Sequence, residues 1–210
     1  MPNWCSNKIE ITGTKEQIAL LTRVLEDVPK SKPQDCIVFE SLIGREPDMT
    51  KDEYEQGGWY QSNIGWFGTK WDVSYDDCNF NFEDECITMY PDTAWSPPIG
   101  FGVRLHDMYG VNVELYYEEG GCDFCGKTII KDKTITENDY SFMEGVYHFN
   151  DEYFWEGLLD NELEYACDEG MSVDEFVEKF NFVSEDDLKE IKKIYEEKIA
   201  ELKTEKNDNE

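Results

Sequence analysis

Three groups of residues have the types and spacing for chemistry. Cys122-Asp123-Phe124-Cys125 is one half of a zinc ribbon, because two thiolates three positions apart can share one ion. A structural zinc site needs four ligands, however. Cys78 and Cys86 are separated by seven residues, and His106 and His148 each stand alone. The stretch Asp72, Asp76, Asp77, Glu83, Asp84 and Glu85 offers hard oxygen ligands for Mg²⁺ or Ca²⁺ but lacks the spacing of an EF-hand loop. In a chain with 48 acidic residues among 210, such clusters arise from composition, so a solvated turn is the plainer reading. The expectation is that no metal and no cofactor is held, although the sequence leaves Cys122 and Cys125 open.

The third group is aromatic. Trp66, Lys70, Trp71, Asp72, Trp95 and Ser96 could form a ligand pocket, since indole faces attract planar and cationic molecules and Lys70 and Asp72 would add polar contacts. The same tryptophans, beside Gly68 and Pro97, would also serve as core, and that is the plainer reading, because tryptophan is usually mostly buried wherever it sits. For catalysis the inventory is thin. Nucleophile elbows, P-loops, Rossmann glycine patterns and HExxH are absent, and pairing Cys5 with His106 would be guesswork. A non-enzyme is expected, and the alternative is a small-ligand-binding protein or ligand-processing enzyme with its pocket around Trp66, Trp71 and Trp95.

Charge is the strongest signal. With 48 acidic against 19 basic residues the formal net charge is −29, the wrong sign for a protein that neutralises phosphates, so direct nucleic-acid binding is disfavoured. At 40% hydrophobic and 14% aromatic the chain nonetheless folds, because 12 Phe, 12 Tyr and 6 Trp supply surface that disordered acidic chains lack. No stretch is apolar enough to span a membrane, and Met1-Pro2-Asn3-Trp4-Cys5 is no secretory leader. Seven cysteines, an odd number, fit reduced thiols and a cytoplasmic location.

The elements that must position these residues are partly visible. Residues 7–12 alternate as a strand, and Thr14-Lys15-Glu16-Gln17 is a capping box opening a helix with Ile18, Leu21, Leu25 and Val28 on one face, closed by Pro29 and Pro33. Cys36 to Gly44 reads as a second strand and 45–63 as a polar excursion with one short helix. Trp71–Tyr75 and Cys86–Tyr90 alternate as strands. Ser96 suits an N-cap and Pro97 a first helical position, giving a helix over 97–109 that Gly110 ends. Val111–Tyr117 and Phe124–Ile130 then read as a hairpin. From Asp151 the period is helical, with a capping box at Ser172/Glu175 and a near match at Ser184/Asp187 that heads a helix carrying Leu188, Ile191, Ile194, Tyr195, Ile199 and Leu202. This order predicts an α+β fold: an antiparallel sheet with two helices on one face over 1–150, and an acidic helical extension over 151–210.

Several blocks carry a family likeness: Met1-Pro2-Asn3-Trp4-Cys5-Ser6-Asn7, Trp66-Phe67-Gly68-Thr69-Lys70-Trp71-Asp72, Thr93-Ala94-Trp95-Ser96-Pro97-Pro98, and Tyr116-Tyr117-Glu118-Glu119-Gly120 with Asp123-Phe124 and Gly126 behind. In order and spacing the chain resembles the YubB-like proteins of plasmids, phages and some bacterial chromosomes over residues 1–130. The resemblance implies a ferredoxin-like domain and a mobile-element context, and no reaction.

Residues 151–210 hold 21 acidic and 7 basic side chains, about half the net charge in under a third of the length. Carboxylates spaced along helices can imitate a nucleic acid and occupy a basic groove. The expected function is therefore that of an interaction protein binding a basic surface of a host nucleic-acid-handling protein, as an anti-CRISPR or anti-restriction inhibitor would. The residues assigned to that contact are Asp151, Glu152, Glu156, Asp160, Glu162, Glu164, Asp168 and Glu169.

Overall fold

The structure, a computed structural model, describes residues 3–28 and 37–208; of Asp151 and of residues 202–208 the backbone alone is described. The chain forms two compact units, Met1–Asp139 and Tyr140–Glu210. The change to a helical period at Asp151 put the boundary near residue 150.

The first unit is built on β1 (Trp4–Thr12), whose strict alternation sends Cys5, Asn7, Ile9 and Ile11 inward. The Thr14/Gln17 capping box opens α1 (Lys15–Asp27), which buries Ile18, Leu21 and Leu25 at helical spacing. Two helical segments follow, α2 (Val38–Ile43) and α3 (Trp59–Trp66), then β2 (Asn79–Phe82), β3 (Cys86–Tyr90) and β4 (Asp92–Ala94). After them come α4 (Ile99–Tyr109), β5 (Asn112–Glu119), β6 (Phe124–Lys131) and β7 (Thr134–Tyr140). The sheet order is β2-β3-β1-β5-β6-β7, with β4 also paired to β1. Strand β1 is antiparallel to β3, β4 and β5, with Ile9 opposite both Met89 and Leu115. The run β1-α1-β2-β3-α4-β5 with sheet order β2-β3-β1-β5 is the ferredoxin-like arrangement, and β6 and β7 widen it. Helices α1 and α4 bury Leu21, Leu25, Phe101 and Leu105 in the same cluster as Ile9, Val113 and Leu115.

Four expectations are corrected. The segment from Cys36 to Gly44 is not a strand: over its described part Val38, Phe39, Leu42 and Ile43 sit at helical spacing and are buried as α2. Pro29, Pro33 and Cys36 lie outside the described residues. Residues 71–75 are not a strand either. Ser74 makes a single bridge to Ile37 and a 3₁₀ turn runs over Tyr75–Asp77, because the Asp72 carboxylate takes the N–H of Val73 away from any ladder. The polar excursion is mostly helical, starting from an overlooked capping box at Thr50/Glu53 and kinked at Gly57 (φ 113°) before α3. Helix α4 starts at Ile99 after Pro98, without a side-chain cap, since Ser96 Oγ instead donates to the Gly68 carbonyl at 2.7 Å.

The second unit is helical from α5 (Phe142–Phe149) onward rather than from Asp151. The turns Asp151–Tyr153 and Phe154–Leu158, the latter a π-turn, lead into α6 (Leu159–Asp168), followed by α7 (Val173–Glu178) and α8 (Glu185–Asp208). Val146, Phe154, Leu163, Phe176, Phe180, Ile191 and Tyr195 form its own core. The Ser172 capping box is present, and Ser184 accepts from the Asp187 N–H.

A close backbone crossing joins the 66–68 segment to the start of α4. Phe101 N–H donates to the Phe67 carbonyl at 2.9 Å, and a Cβ on Gly100 would lie 2.8 Å from Trp66 O and 2.9 Å from Gly68 N. Gly100→Ala should therefore destabilise the first unit by about 1–3 kcal/mol, as overpacking does. Gly65→Ala, in α3 with nothing within 4 Å of its Cβ, should be neutral or stabilising by about 0.5–1 kcal/mol. Urea denaturation of both variants checks the pair.

Candidate functional site

Two regions gather the residues singled out by sequence. The first surrounds Trp4, at the head of β1. Trp4 pairs with Ala94 across the ladder, and its ring meets that of Trp71 at 6.2 Å and 46°. Thr69 Oγ1 donates to the Ala94 carbonyl at 3.0 Å and Trp95 N–H to the Asn3 carbonyl at 3.0 Å, so the 68–72 segment is laid along β4 and the end of β1. Trp95 has φ 75°, a left-handed conformation unusual for a residue with a Cβ. It is held there by these bonds and by Thr93 Oγ1 donating to the Ser96 carbonyl at 2.8 Å. Its indole is left 47% exposed, beside Trp4 at 53% and Trp71 at 37%.

A cleft of about 510 Å³ opens here, lined by Trp4, Asp72, Val73, Ser74, Asp77 and Asp92. Asp72 closes its floor with a structural task. Its Oδ1 accepts from Phe39 N–H at 2.8 Å and Val73 N–H at 2.7 Å, and its Oδ2 from Glu40 N–H at 2.7 Å. It thus caps α2 from 32 or more residues away, where Ile37 at the N-cap position has no side chain to do so. Burial pushes the Asp72 carboxyl up to about 6, and the three backbone donors resist that rise. Asp92 accepts from Ser6 Oγ at 3.0 Å.

The aromatic group expected from sequence is divided. Trp71, with the Lys70 ammonium 4.4 Å above its ring, and Asp72 belong to this region. Trp66 turns elsewhere: its Nε1 donates to the Gly44 carbonyl at 2.9 Å and the Arg104 guanidinium lies 4.7 Å above its ring. Ser96 Oγ is spent on Gly68. Sequence reasoning missed Trp4 and Asp92, and set Asp77 among candidate cation ligands rather than beside the aromatic residues. The signal for Trp4 was its place on the outward register of an alternating strand, where a large indole has no core to enter.

Among the described residues the cysteines and histidines do not converge. Cys122 is exposed and takes a contact from Asn3 Nδ2 at 3.2 Å, whereas Cys125 is buried and its thiol donates to Tyr116 Oη at 3.5 Å. Burial pushes the Cys5 thiol up to about 12 and the Cys125 thiol up to about 11, far from thiolate character at neutral pH. His106 is used within the fold, with Nδ1 2.6 Å from the Val111 carbonyl and Nε2 accepting from Lys133 N–H at 3.1 Å, so Cys5 and His106 form no dyad. The acidic stretch also disperses, Asp84 pairing with Lys15 at 2.7 Å and Glu83 accepting from Asn81. Among the described residues no three His, Cys, Asp or Glu side chains gather as a metal site would require.

The second region is a face of the second unit. Glu152, Glu156, Asp160, Glu164 and Asp168 recur every fourth residue and all are exposed, running from the turn before the π-turn to the end of α6. At about 1.5 Å per residue, α-helical positions four apart are spaced by roughly 6 Å along the axis. Among the described residues these five have no ion-pair or hydrogen-bond partner for their carboxylates. Tyr153 and Tyr165 stand exposed beside them. Glu162 does not belong to the row. Two positions from Asp160, it turns toward α7 and pairs with Lys179, half-buried. Glu169 is exposed beyond the helix end, and the Asp151 side chain lies outside the described residues.

The comparisons address the fold. A family model for the ferredoxin-like domain in Api92-like proteins matches residues 70–153, which run from the 68–72 segment through β7 and into the second unit. Among solved structures, the protein api92 from Yersinia pseudotuberculosis is similar at 10% identity and a TM-score of 0.44, covering 67% of this chain and 99% of that one. None of the curated proteins matches the sequence. Among the described residues no helix is long and apolar enough to cross a membrane.

The Asp72 cap carries a pH signature. Its folded carboxyl titrates higher than an unfolded one, so its contribution to stability is full below about pH 4 and is lost as pH rises through about 6. Asp72→Asn keeps the acceptor Oδ1 but sets an N–H against Glu40 N–H, and should cost about 1–2 kcal/mol. The gap between wild type and variant, read by urea denaturation, should widen as pH falls from 7 to 5; a constant gap would show that Asp72 does not titrate in this range.

Proposed function

We propose that this chain is a non-enzymatic interaction protein whose second unit presents its row of carboxylates to a basic surface of a host nucleic-acid-handling protein, occupying that surface in place of a nucleic acid. The observation that carries the reading is the four-residue recurrence of Glu152, Glu156, Asp160, Glu164 and Asp168, all exposed, with no cationic partner among the described residues. Like charges four apart on a helix cost about 0.2–0.5 kcal/mol per pair. Such a row works against the stability of its own helix, and a cationic partner would turn that repulsion into attraction. Regularly spaced carboxylates resemble a charged polymer backbone, and the exposed Tyr153 beside them can stack on an arginine side chain of the partner.

The YubB-like resemblance adds a context: a phage- or plasmid-borne protein acting in the cytoplasm, where an inhibitor of the anti-CRISPR or anti-restriction kind meets its target. Association of this kind is steered by charge and weakened by salt.

The test compares wild type with a variant carrying Glu152→Gln, Glu156→Gln, Asp160→Asn, Glu164→Gln and Asp168→Asn. A partner is captured from a bacterial lysate on the full chain, identified, purified, and its affinity measured at about 50 and 200 mM salt. The variant should fold at least as stably, since repulsion is relieved, and should bind at least about tenfold more weakly with a shallower salt dependence. Equal affinity of variant and wild type, or affinity unmoved by salt, would overturn the proposal.

A further inference from the structure

We infer that the cleft beside Trp4 is a binding site for an alkylguanidinium group, the chemistry of an arginine side chain or of a small guanidino compound. The inference concerns the first unit and does not rest on the carboxylate row.

Its walls supply an aromatic face and carboxylates. Trp4 lines the cleft with half of its indole open to solvent, and Trp71 stands against it at 6.2 Å. On the outward register of β1 this indole has no core to enter, and exposed aromatic patches mark contact surfaces. Asp77 and Asp92 stand in the same lining, and the Asp77 carboxylate has no hydrogen-bond or ion-pair partner among the described residues. The Lys70 ammonium lies 4.4 Å above the neighbouring Trp71, which thus accepts a cation within the fold.

The combination discriminates between ligand classes. Anions are repelled by Asp77, Asp92 and the surrounding net charge. A quaternary ammonium would satisfy the indole but has no N–H for the carboxylates. A primary ammonium is compact and strongly hydrated. A guanidinium is planar, so it can lie on Trp4, and its fork of N–H donors matches carboxylates at the rim. The volume, about 510 Å³, falls in the range of small-molecule sites and admits an alkyl chain as well. Asp72 serves as floor: its oxygens already accept three backbone N–H groups.

The experiment follows the indole N–H signals of the full chain by NMR during titration with ethylguanidinium, with a blocked Ala-Arg-Ala tripeptide, and with tetramethylammonium. Saturable shifts of the Trp4 and Trp71 signals with both guanidinium probes are expected, with tetramethylammonium weaker. Tighter binding of the tripeptide would assign the group to a protein partner, and equal binding to the guanidinium alone. Asp77→Asn, at an exposed position whose carboxylate has no partner among the described residues, together with Asp92→Asn should weaken binding roughly three- to thirtyfold. Trp4→Leu should do so to a similar extent, with an unchanged signal from Trp66, whose Nε1 is held by the Gly44 carbonyl, reporting an intact fold. Shifts that fail to saturate, tetramethylammonium binding as tightly as ethylguanidinium, or an unaffected Asp77→Asn variant would overturn the inference.

Discussion

The contact of backbone against backbone at Gly68 and Gly100 governs the placement of most of what is chemically notable in the first unit. With no Cβ on either side, the 66–68 segment comes within hydrogen-bonding distance of the start of α4, and Phe67 O takes the Phe101 N–H. From that fixed point the chain can run along β4, where Thr69 reaches Ala94 and Ser96 reaches Gly68. It then delivers Trp71 to Trp4 and Asp72 to the bare end of α2. A displaced crossing would lose the cap and the aromatic pair together, because both depend on the same few residues of chain.

The two units handle charge differently. In the first, many carboxylates are employed: Asp72 caps a helix, Glu40 pairs with Arg45, Glu114 with Lys127, and Asp84 with Lys15. Exposed pairs of this kind contribute little to stability, but they answer for the charges that make them. In the second unit Glu162 is answered by Lys179 and Asp187 by Ser184 and Tyr147. The row from Glu152 to Asp168 is answered by nothing within the described residues. Exposed carboxylates without a partner occur in the first unit too, Asp77 among them, so it is the regular four-residue recurrence of the row, rather than the net charge of the whole chain, that marks it as a candidate contact surface.

Helices and strands with a single amphipathic period were legible. Strand β1 and helix α1 followed from alternation and the Thr14 capping box, β3 from Cys86-Ile87-Thr88-Met89-Tyr90, and α8 from its recurring Leu188, Ile191 and Tyr195. The short pieces were not. The alternation in Asn79-Phe80-Asn81-Phe82 spans only four residues, and α2 owes its start to Asp72, more than thirty residues downstream, so no local window contains the cause. The same holds for 71–75, where the alternating pattern was real but the Val73 N–H had been taken by a carboxylate one residue away.

For the sites, the linear order of residues was enough to place carboxylates along a helical segment, because a four-residue recurrence and a helix share nearly the same period. It was not enough to remove Glu162, which needed Lys179 from another helix, nor to recruit Trp4, which needed the register of β1 against β4 to meet Trp71. Local periodicity is a property of neighbours along the chain and can be read there. Whether a tryptophan ends as core, partner or open wall depends on which distant backbone arrives beside it, and that is settled only when the sheet pairs and the glycine crossing closes.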